Sequence, residues 1–378
     1  MPLGFFINVH YKTLNLMKNY QSKPTPKIVI KTLTWSRDSH GLFDYESKNV
    51  NKKYLTCQGP NNLIRIKNDV QVTKGKVSKK HYIGGDFKQL AQFEEIKGKY
   101  FLKAFEPEKL WVVVRTLKGN SPSGHVLSEG DIIKLGRVKY CVKELRLQSL
   151  REPNLELTVS EETSSEMVCK VCLYEGSTSE DPLITPCSCS GTMKYIHLQC
   201  LKRWLSSKMS TSESENSVIY NWKTVECEIC KVAFPFTYTY KGKTIDLFIS
   251  EKPKGPYLIL EGVPREGKST RGVHLISFRK KCQMSLGRGH ESNLRVSDIS
   301  VSRCHAMIKF VGGKFVLEDN NSKFGTLVQA DDKYEIVPGQ SVAFQIGRTV
   351  LSLSSKSKAF SKENVELAKN QQIMLFIK

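Results

Sequence analysis

The chain has 378 residues, 39% hydrophobic and 25% charged, with 58 lysines and arginines against 37 acidic residues and a formal charge of +21. That composition excludes wholesale disorder, and the length leaves room for two or three domains of ~100–200 residues each. No apolar run approaches the ~20 residues of a membrane helix, and the first residues lack the basic start, apolar stretch and small-residue cleavage site of a secretory signal. The expectation is a soluble chain of the cytosol or nucleus with no membrane partner, whose charge favours acidic partners such as nucleic acid or phosphoprotein. The same lysines, scattered along the chain, also read as plain solvated surface.

Residues 1–26 carry no pattern and end in KPTPK, where two prolines discourage regular structure; they read as a leader. Residues 27–147 run as short β segments: KIVIKTLTW, NLIRIK, KYFLKAF, LWVVVRTL and DIIKLGRVKYCVKELRL. Residues 148–166 are acidic and rich in Ser and Thr, and read as a linker. A cysteine-rich block follows over 167–236, containing HLQCLKRWLSSK as a short helix and SSKMSTSESENS as a low-complexity polar insertion. A connector over 237–254 leads to a second β domain over 255–355, with runs YLILEGV, GVHLISF, QMSLG, HAMIKFV, KFVLED, TLVQA, SVAFQIG and TVLSLS. The tail over 356–378 fits a short amphipathic helix.

Seven of the eleven cysteines fall between positions 169 and 230, in close pairs that suit metal in a reducing compartment better than a secreted disulfide framework. The ligand candidates are Cys169, Cys172, Cys187, Cys189, His197, Cys200, Cys227 and Cys230. Their spacing is Cys-x2-Cys, fourteen residues, Cys-x-Cys, seven residues, His-x2-Cys, twenty-six residues, Cys-x2-Cys. Four pairs make two closed tetrahedral zinc sites with no open coordination position, which is structural rather than catalytic chemistry. A structural zinc contributes on the order of 10–16 kcal/mol in small modules, enough to fold a block with few apolar residues.

Eight ligands in this order resemble the RING-CH (RING-variant, MARCH-type) ubiquitin ligases. The alternative PHD finger has a shorter gap before its histidine and an aromatic residue where this chain has Val225. The resemblance implies two zinc ions in a cross-brace, one held by Cys169, Cys172, His197 and Cys200 and the other by Cys187, Cys189, Cys227 and Cys230. It implies no catalytic residue, because such domains position a ubiquitin-charged conjugating enzyme rather than react themselves. The family positions for conjugating-enzyme contact fall on Val171, Trp204 and Lys231, although Trp204 also reads as ordinary core. Glu228 stands where many RING domains have proline, and lysine at 231 offers a point charge where arginine offers a fork.

In the second β domain, SLGRGHESNLRVSDISVSRCHAMIKF and LEDNNSKFGTLVQ place arginines on short Gly- and Ser-bearing loops suited to clasp a phosphate. The series resembles the forkhead-associated (FHA) domain, a β-sandwich that reads phosphothreonine. The resemblance implies phosphopeptide contact by Arg288, Ser302 and Arg303, and loop bracing by Gly287, His305, Gly325 and Thr326. His305 reads equally as a packed histidine and Arg303 as a surface ion-pair residue, and Phe324 replaces the family's asparagine. The first β domain echoes the second, VSKKH at 77–81 against VSRCH at 301–305 and EGDIIKLGRVKYCV against PGQSVAFQIGRTVL, and reads as a degenerate FHA-like copy. Cys57, Cys141, Cys282 and Cys304 read as packed thiols.

The expected fold is mainly β and multidomain: two FHA-like β-sandwiches, the first degenerate, flanking a small α+β cross-brace zinc domain. The expected function is a ubiquitin ligase that recruits threonine-phosphorylated proteins and a ubiquitin-conjugating enzyme. The rival readings are a non-enzymatic phosphothreonine-dependent scaffold and a basic nucleic-acid or chromatin protein; neither β domain carries a base-reading motif.

Overall fold

The computed structural model describes residues 27–37, 41–75, 87–97, 99–106, 109–115, 124–147, 167–215, 217–223, 225–248, 252–264 and 270–356. The leader, the acidic linker, the helix expected in the tail and the VSKKH segment with Lys79 and Lys80 lie outside the described residues. No described helix is long and apolar enough to cross a membrane. The chain is mainly β and divides into two compact units, one taking described residues up to 115 together with 329–356, the other taking 124–328.

In the first unit, Lys27–Trp35 alternates outward and inward side chains, as a strand covering a core on one face requires. Ile28 and Ile30 are fully buried, and the strand pairs with Val50–Cys57 on one side and Thr349–Lys356 on the other. Ser341–Ile346 and Trp111–Val113 continue this layer. The facing sheet runs in the order Lys333–Ile336, Lys99–Ala104, Phe87–Ile96, Asn61–Ile66, Asp69–Thr73. Between the layers lie Leu63, Phe93, Leu102, Phe344 and Leu351.

The second unit repeats this plan. One layer has the order Leu294–Arg295, Gln283–Gly287, Ala306–Val311, Lys314–Asp319, His125–Val126. The other runs from Thr270–Ser277 through Tyr257–Gly262, Val138–Arg146 and Ile132–Leu135 to residues 326–328.

The strand pairings do not follow the sequence division into sandwiches over 27–147 and 255–355. The last strands of each repeat are exchanged: His125–Val126, Ile132–Leu135 and Val138–Arg146 complete the second unit. Lys333–Ile336, Ser341–Ile346 and Thr349–Lys356 complete the first. The physical reason is the likeness of the two hairpins: segments with the same alternation and the same Gly-Arg turn satisfy either ladder, so pattern alone does not say which copy each will join. The incoming strand is latched by Glu144, which accepts hydrogen bonds from Lys252 at 2.6 Å, Tyr257 at 2.7 Å and Arg146 at 2.8 Å.

The zinc module is built into the second unit. Its α-helix, Leu198–Ser207, buries Leu198, Leu201 and Leu205, a spacing of three and four residues that marks one helical face. These leucines join Ile184, Phe234, Leu247 and Phe248 in one apolar cluster with Tyr257, Ile259, Val273 and Leu275 of the sandwich. Burying each leucine contributes roughly 1.5–3 kcal/mol.

Two segments differ from expectation. The polar insertion is a hairpin, Met209–Glu213 with Ser217–Lys223, whose second strand pairs with Thr270–Ser277 and so extends the sandwich sheet. The connector contains the hairpin Thr237–Tyr240 with Lys243–Asp246. Among the cysteines expected to be packed, Cys57 is buried but Cys282 is exposed.

Candidate metal centre and phosphate loops

The cross-brace pairs are brought together as the spacing demands. Cys169, Cys172, His197 and Cys200 form one group and Cys187, Cys189, Cys227 and Cys230 the other, with ligand atoms within 4.8 Å of one another in each. Cys189 and Cys227 sulfurs are 3.6 Å apart, close to the ~3.8 Å that two sulfurs at about 2.3 Å from a tetrahedral zinc would show. His197 turns Nδ1 to the Cys172 sulfur at 3.2 Å, and its Nε2–H donates to the Gly176 carbonyl at 2.7 Å, the arrangement that fixes the tautomer of a ligating imidazole.

Two similar turns carry the outer cysteines. In the first, Leu173 N–H donates to the Cys169 carbonyl and Cys169 N–H to the Tyr174 carbonyl. In the second, Lys231 N–H donates to the Cys227 carbonyl and Cys227 N–H to the Val232 carbonyl. Leu173 (φ 62°) and Lys231 (φ 59°) both take the left-handed conformation that closes the turn.

The electrostatics fit a bound dication. Burial pushes the Cys169 thiol up, but N–H groups of Cys172, His197 and Val171 outweigh it and bring it to about 7. Cys227 is brought to about 6, burial again being overcome by N–H groups, here of Cys230 and Ile229. Cys200 goes the other way, to about 12, through burial and then its sulfur neighbours. Groups packed this closely cannot all ionise without a cation among them, so this donor set suits zinc, which would fold the module and supply no reactive centre.

Val171 is 51% exposed and Lys231 is exposed, while Trp204 is half-buried, edge-on to Phe234 at 5.7 Å. Sequence reasoning missed Ile229, 53% exposed, which sits in Cys-Glu-Ile-Cys as Val171 sits in Cys-Lys-Val-Cys. That repeated pattern was the signal available. Leu173, 76% exposed, adds to the apolar surface of the first turn.

In the second sandwich three loops converge. Arg288 N–H donates to the Ser302 carbonyl at 3.0 Å, and the Ser302 hydroxyl accepts from Lys323 N–H at 3.1 Å. His305, fully buried, accepts from Ser302 N–H at Nδ1 (3.0 Å) and donates from Nε2 to the Gly325 carbonyl (3.1 Å). At Gly287 an added Cβ would lie 1.9 Å from the Arg303 carbonyl oxygen, so only glycine permits this approach. Gly325 adopts φ 74°, and the Thr326 hydroxyl, buried, donates to Asp319 at 2.7 Å. Arg288 and Arg303 are exposed, Ser302 is half-buried, and Phe324 is half-buried beneath the Lys323 ammonium.

Comparison with known proteins agrees with this geometry. The RING-variant domain family matches residues 169–230 and the FHA domain family residues 284–350. "E3 ubiquitin-protein ligase MARCHF7" of Rattus norvegicus is 34% identical over 86 residues, covering 23% of this chain and 11% of that protein. "Probable E3 ubiquitin-protein ligase MARCHF10" of Homo sapiens is 35% identical over 86 residues, 23% of this chain and 10% of that protein. "E3 ubiquitin-protein ligase MARCHF6" of Homo sapiens is 42% identical over 79 residues, 21% of this chain and 7% of that protein. The chain thus spans about a tenth of the length of these relatives. Two interleaved ligand groups make residues 169–230 a RING-variant domain, and three converging loops within 284–328 carry the FHA match, whose remaining residues 329–350 are the exchanged strands of the first unit.

Proposed function

We propose that this chain is a ubiquitin ligase that selects threonine-phosphorylated proteins with Arg288, Ser302 and Arg303 and presents them to a ubiquitin-charged conjugating enzyme held at Val171, Trp204 and Lys231. The observation that carries this reading is the cross-brace itself, two closed ligand groups with Val171 exposed on the turn of the first. Closed sites leave no open metal position, so the gain in rate comes from holding the thioester and the attacking lysine in a reactive orientation. Gly287, His305, Gly325 and Thr326 keep the phosphate loops in place, and the exposed guanidinium groups offer charge-assisted, forked hydrogen bonds. This chain, zinc-replete, with purified activating enzyme, a panel of conjugating enzymes and ubiquitin, forms ubiquitin chains, and Val171→Glu abolishes them. Inactivity across the panel discards the enzyme.

The packing of Trp204 against Phe234 favours a second reading, a phosphothreonine-dependent scaffold in which zinc only folds the centre. Phosphopeptide binding without ubiquitin transfer distinguishes it.

A further inference from the structure

The exchange of terminal strands brings the N-terminal repeat to the phosphate loops. The turn of the incoming hairpin is Gly136–Arg137, between Ile132–Leu135 and Val138–Arg146. Gly136 has φ 58°, and an added Cβ would lie 2.4 Å from both the carbonyl oxygen and the hydroxyl oxygen of Ser300. The Arg137 N–H donates to the Ser300 hydroxyl at 2.8 Å, and that hydroxyl is held by Asp298. Ser300 stands two residues before Ser302, the centre of the loop cluster.

The matching turn of the other hairpin shows what such an arginine ordinarily does. There Gly347 has φ 59°, and the Arg348 guanidinium is taken up by the carbonyls of Trp35 (2.7 Å) and Lys67 (2.8 Å) and by the Asn68 side chain. Arg348 is a structural pin. The Arg137 side chain is exposed and, among the described residues, makes no hydrogen bond or ion pair. The same turn thus spends one arginine on the fold and leaves the other uncommitted, its backbone fixed to the loop that also carries Ser302 and Arg303.

We propose that the phosphopeptide face is composite, and that Arg137, supplied by the N-terminal repeat, is a specificity residue that binds an acidic side chain flanking the phosphothreonine. This rests on the reading of the loops as a phosphothreonine site. Arg288 and Arg303 already offer the phosphate two exposed guanidinium groups, and a carboxylate elsewhere in the peptide matches Arg137 in charge and forked geometry.

The test uses the full chain and fluorescence anisotropy with phosphothreonine peptides whose flanking positions are alanine, except for one glutamate scanned through them. At one or two positions glutamate tightens binding, and Arg137→Gln removes that gain, a loss of about tenfold, while leaving the all-alanine peptide within about twofold. Arg288→Gln abolishes binding of every peptide. Equal weakening of all peptides by Arg137→Gln, or no weakening of any, overturns the assignment of Arg137 alone. No binding of any phosphopeptide by the wild-type chain overturns the reader itself, and Arg137 with it. The architecture has its own readout: Cys141 lies opposite Glu261 across the exchanged strands, so Glu261→Cys forms an intramolecular disulfide on mild oxidation. No such link, or one only between two copies of the chain, overturns the composite face.

Discussion

The ammonium of Lys170 lies 3.6 Å from the Cys187 sulfur and 3.7 Å from that of Cys227, although Lys170 sits between Cys169 and Cys172 in the other ligand group. A residue in the loop of one site therefore serves the outer surroundings of the second. Burial pushes this ammonium down, but the thiolates of Cys187, Cys227 and Cys189 outweigh it and hold it above its ordinary value. Four thiolates around one zinc leave a net double negative charge, and Lys170 offsets part of it. Lys170→Gln weakens retention of the second metal roughly 10–100-fold, the usual range for losing an outer partner, and leaves the first unchanged. Cobalt replacement with chelator competition distinguishes the four-sulfur site from the three-sulfur, one-nitrogen site; equal loss from both would count against this role.

His274 gives the second unit a defined acid sensitivity. It lies buried between strands and edge-on to Tyr140 of the exchanged hairpin at 5.3 Å, and its Nδ1 has no hydrogen-bond partner. Burial alone pushes its imidazole down from 6.5 to about 4. The folded value lies below the unfolded one, so the stability it confers is complete above about 6.5, is lost as pH falls through that window, and changes no further below about 4. At about 1.4 kcal/mol per pH unit the loss is at most about 3.5 kcal/mol. His274→Phe, which cannot titrate, flattens the fall in denaturation midpoint between pH 6.5 and 4 relative to wild type. Parallel curves for the two proteins would remove His274 as the cause.

The ligand groups were legible because pairing within three residues is a local property, and four such pairs admit few arrangements. The loops were legible for a similar reason: Gly287, Ser302 and His305 do their work through backbone contacts that few other residues permit. The exchange was not, because EGDIIKLGRVKYCV and PGQSVAFQIGRTVL carry the same signal and their destinations depend on long-range pairing. The insertion hairpin was hidden by its composition. Ser210, Thr211, Ser212 and Glu213 face solvent along a sheet edge, where polarity costs nothing, and their alternation with apolar residues is lost.

That hairpin fixes the zinc module to the phosphate reader. Ile219 lies on its inner strand, opposite Ser212 on one side and His274 on the other. Proline there has no N–H to donate, and a strand paired on both sides has no place for it. Ile219→Pro costs roughly 1–3 kcal/mol and removes hydrogen-exchange protection over 209–223 and the facing strand 270–277. Zinc content is unchanged, since no ligand lies in the hairpin. On the proposed function, free ubiquitin chains still form while transfer to a bound phosphoprotein falls, because the acceptor is no longer held at a fixed distance. Equal loss of both activities would point to damage of the zinc module instead.

Phe324 marks the departure of the phosphate loops from their family. It precedes Gly325, whose carbonyl accepts from the buried His305, so the backbone here is held from below and the side chain at 324 borders the loop cluster. A phenyl ring offers neither donor nor acceptor to an extended peptide, whereas an asparagine amide offers both. Two added hydrogen bonds at about 1 kcal/mol each tighten binding by roughly tenfold or more, so Phe324→Asn increases affinity for phosphothreonine peptides by that factor in anisotropy titrations. The gain is absent in the Arg288→Gln background, where no phosphate is held to align the peptide main chain. Should Phe324→Asn weaken binding, the ring is itself a peptide contact, stacked beneath Lys323, and the site reads an apolar neighbour of the phosphothreonine rather than its backbone.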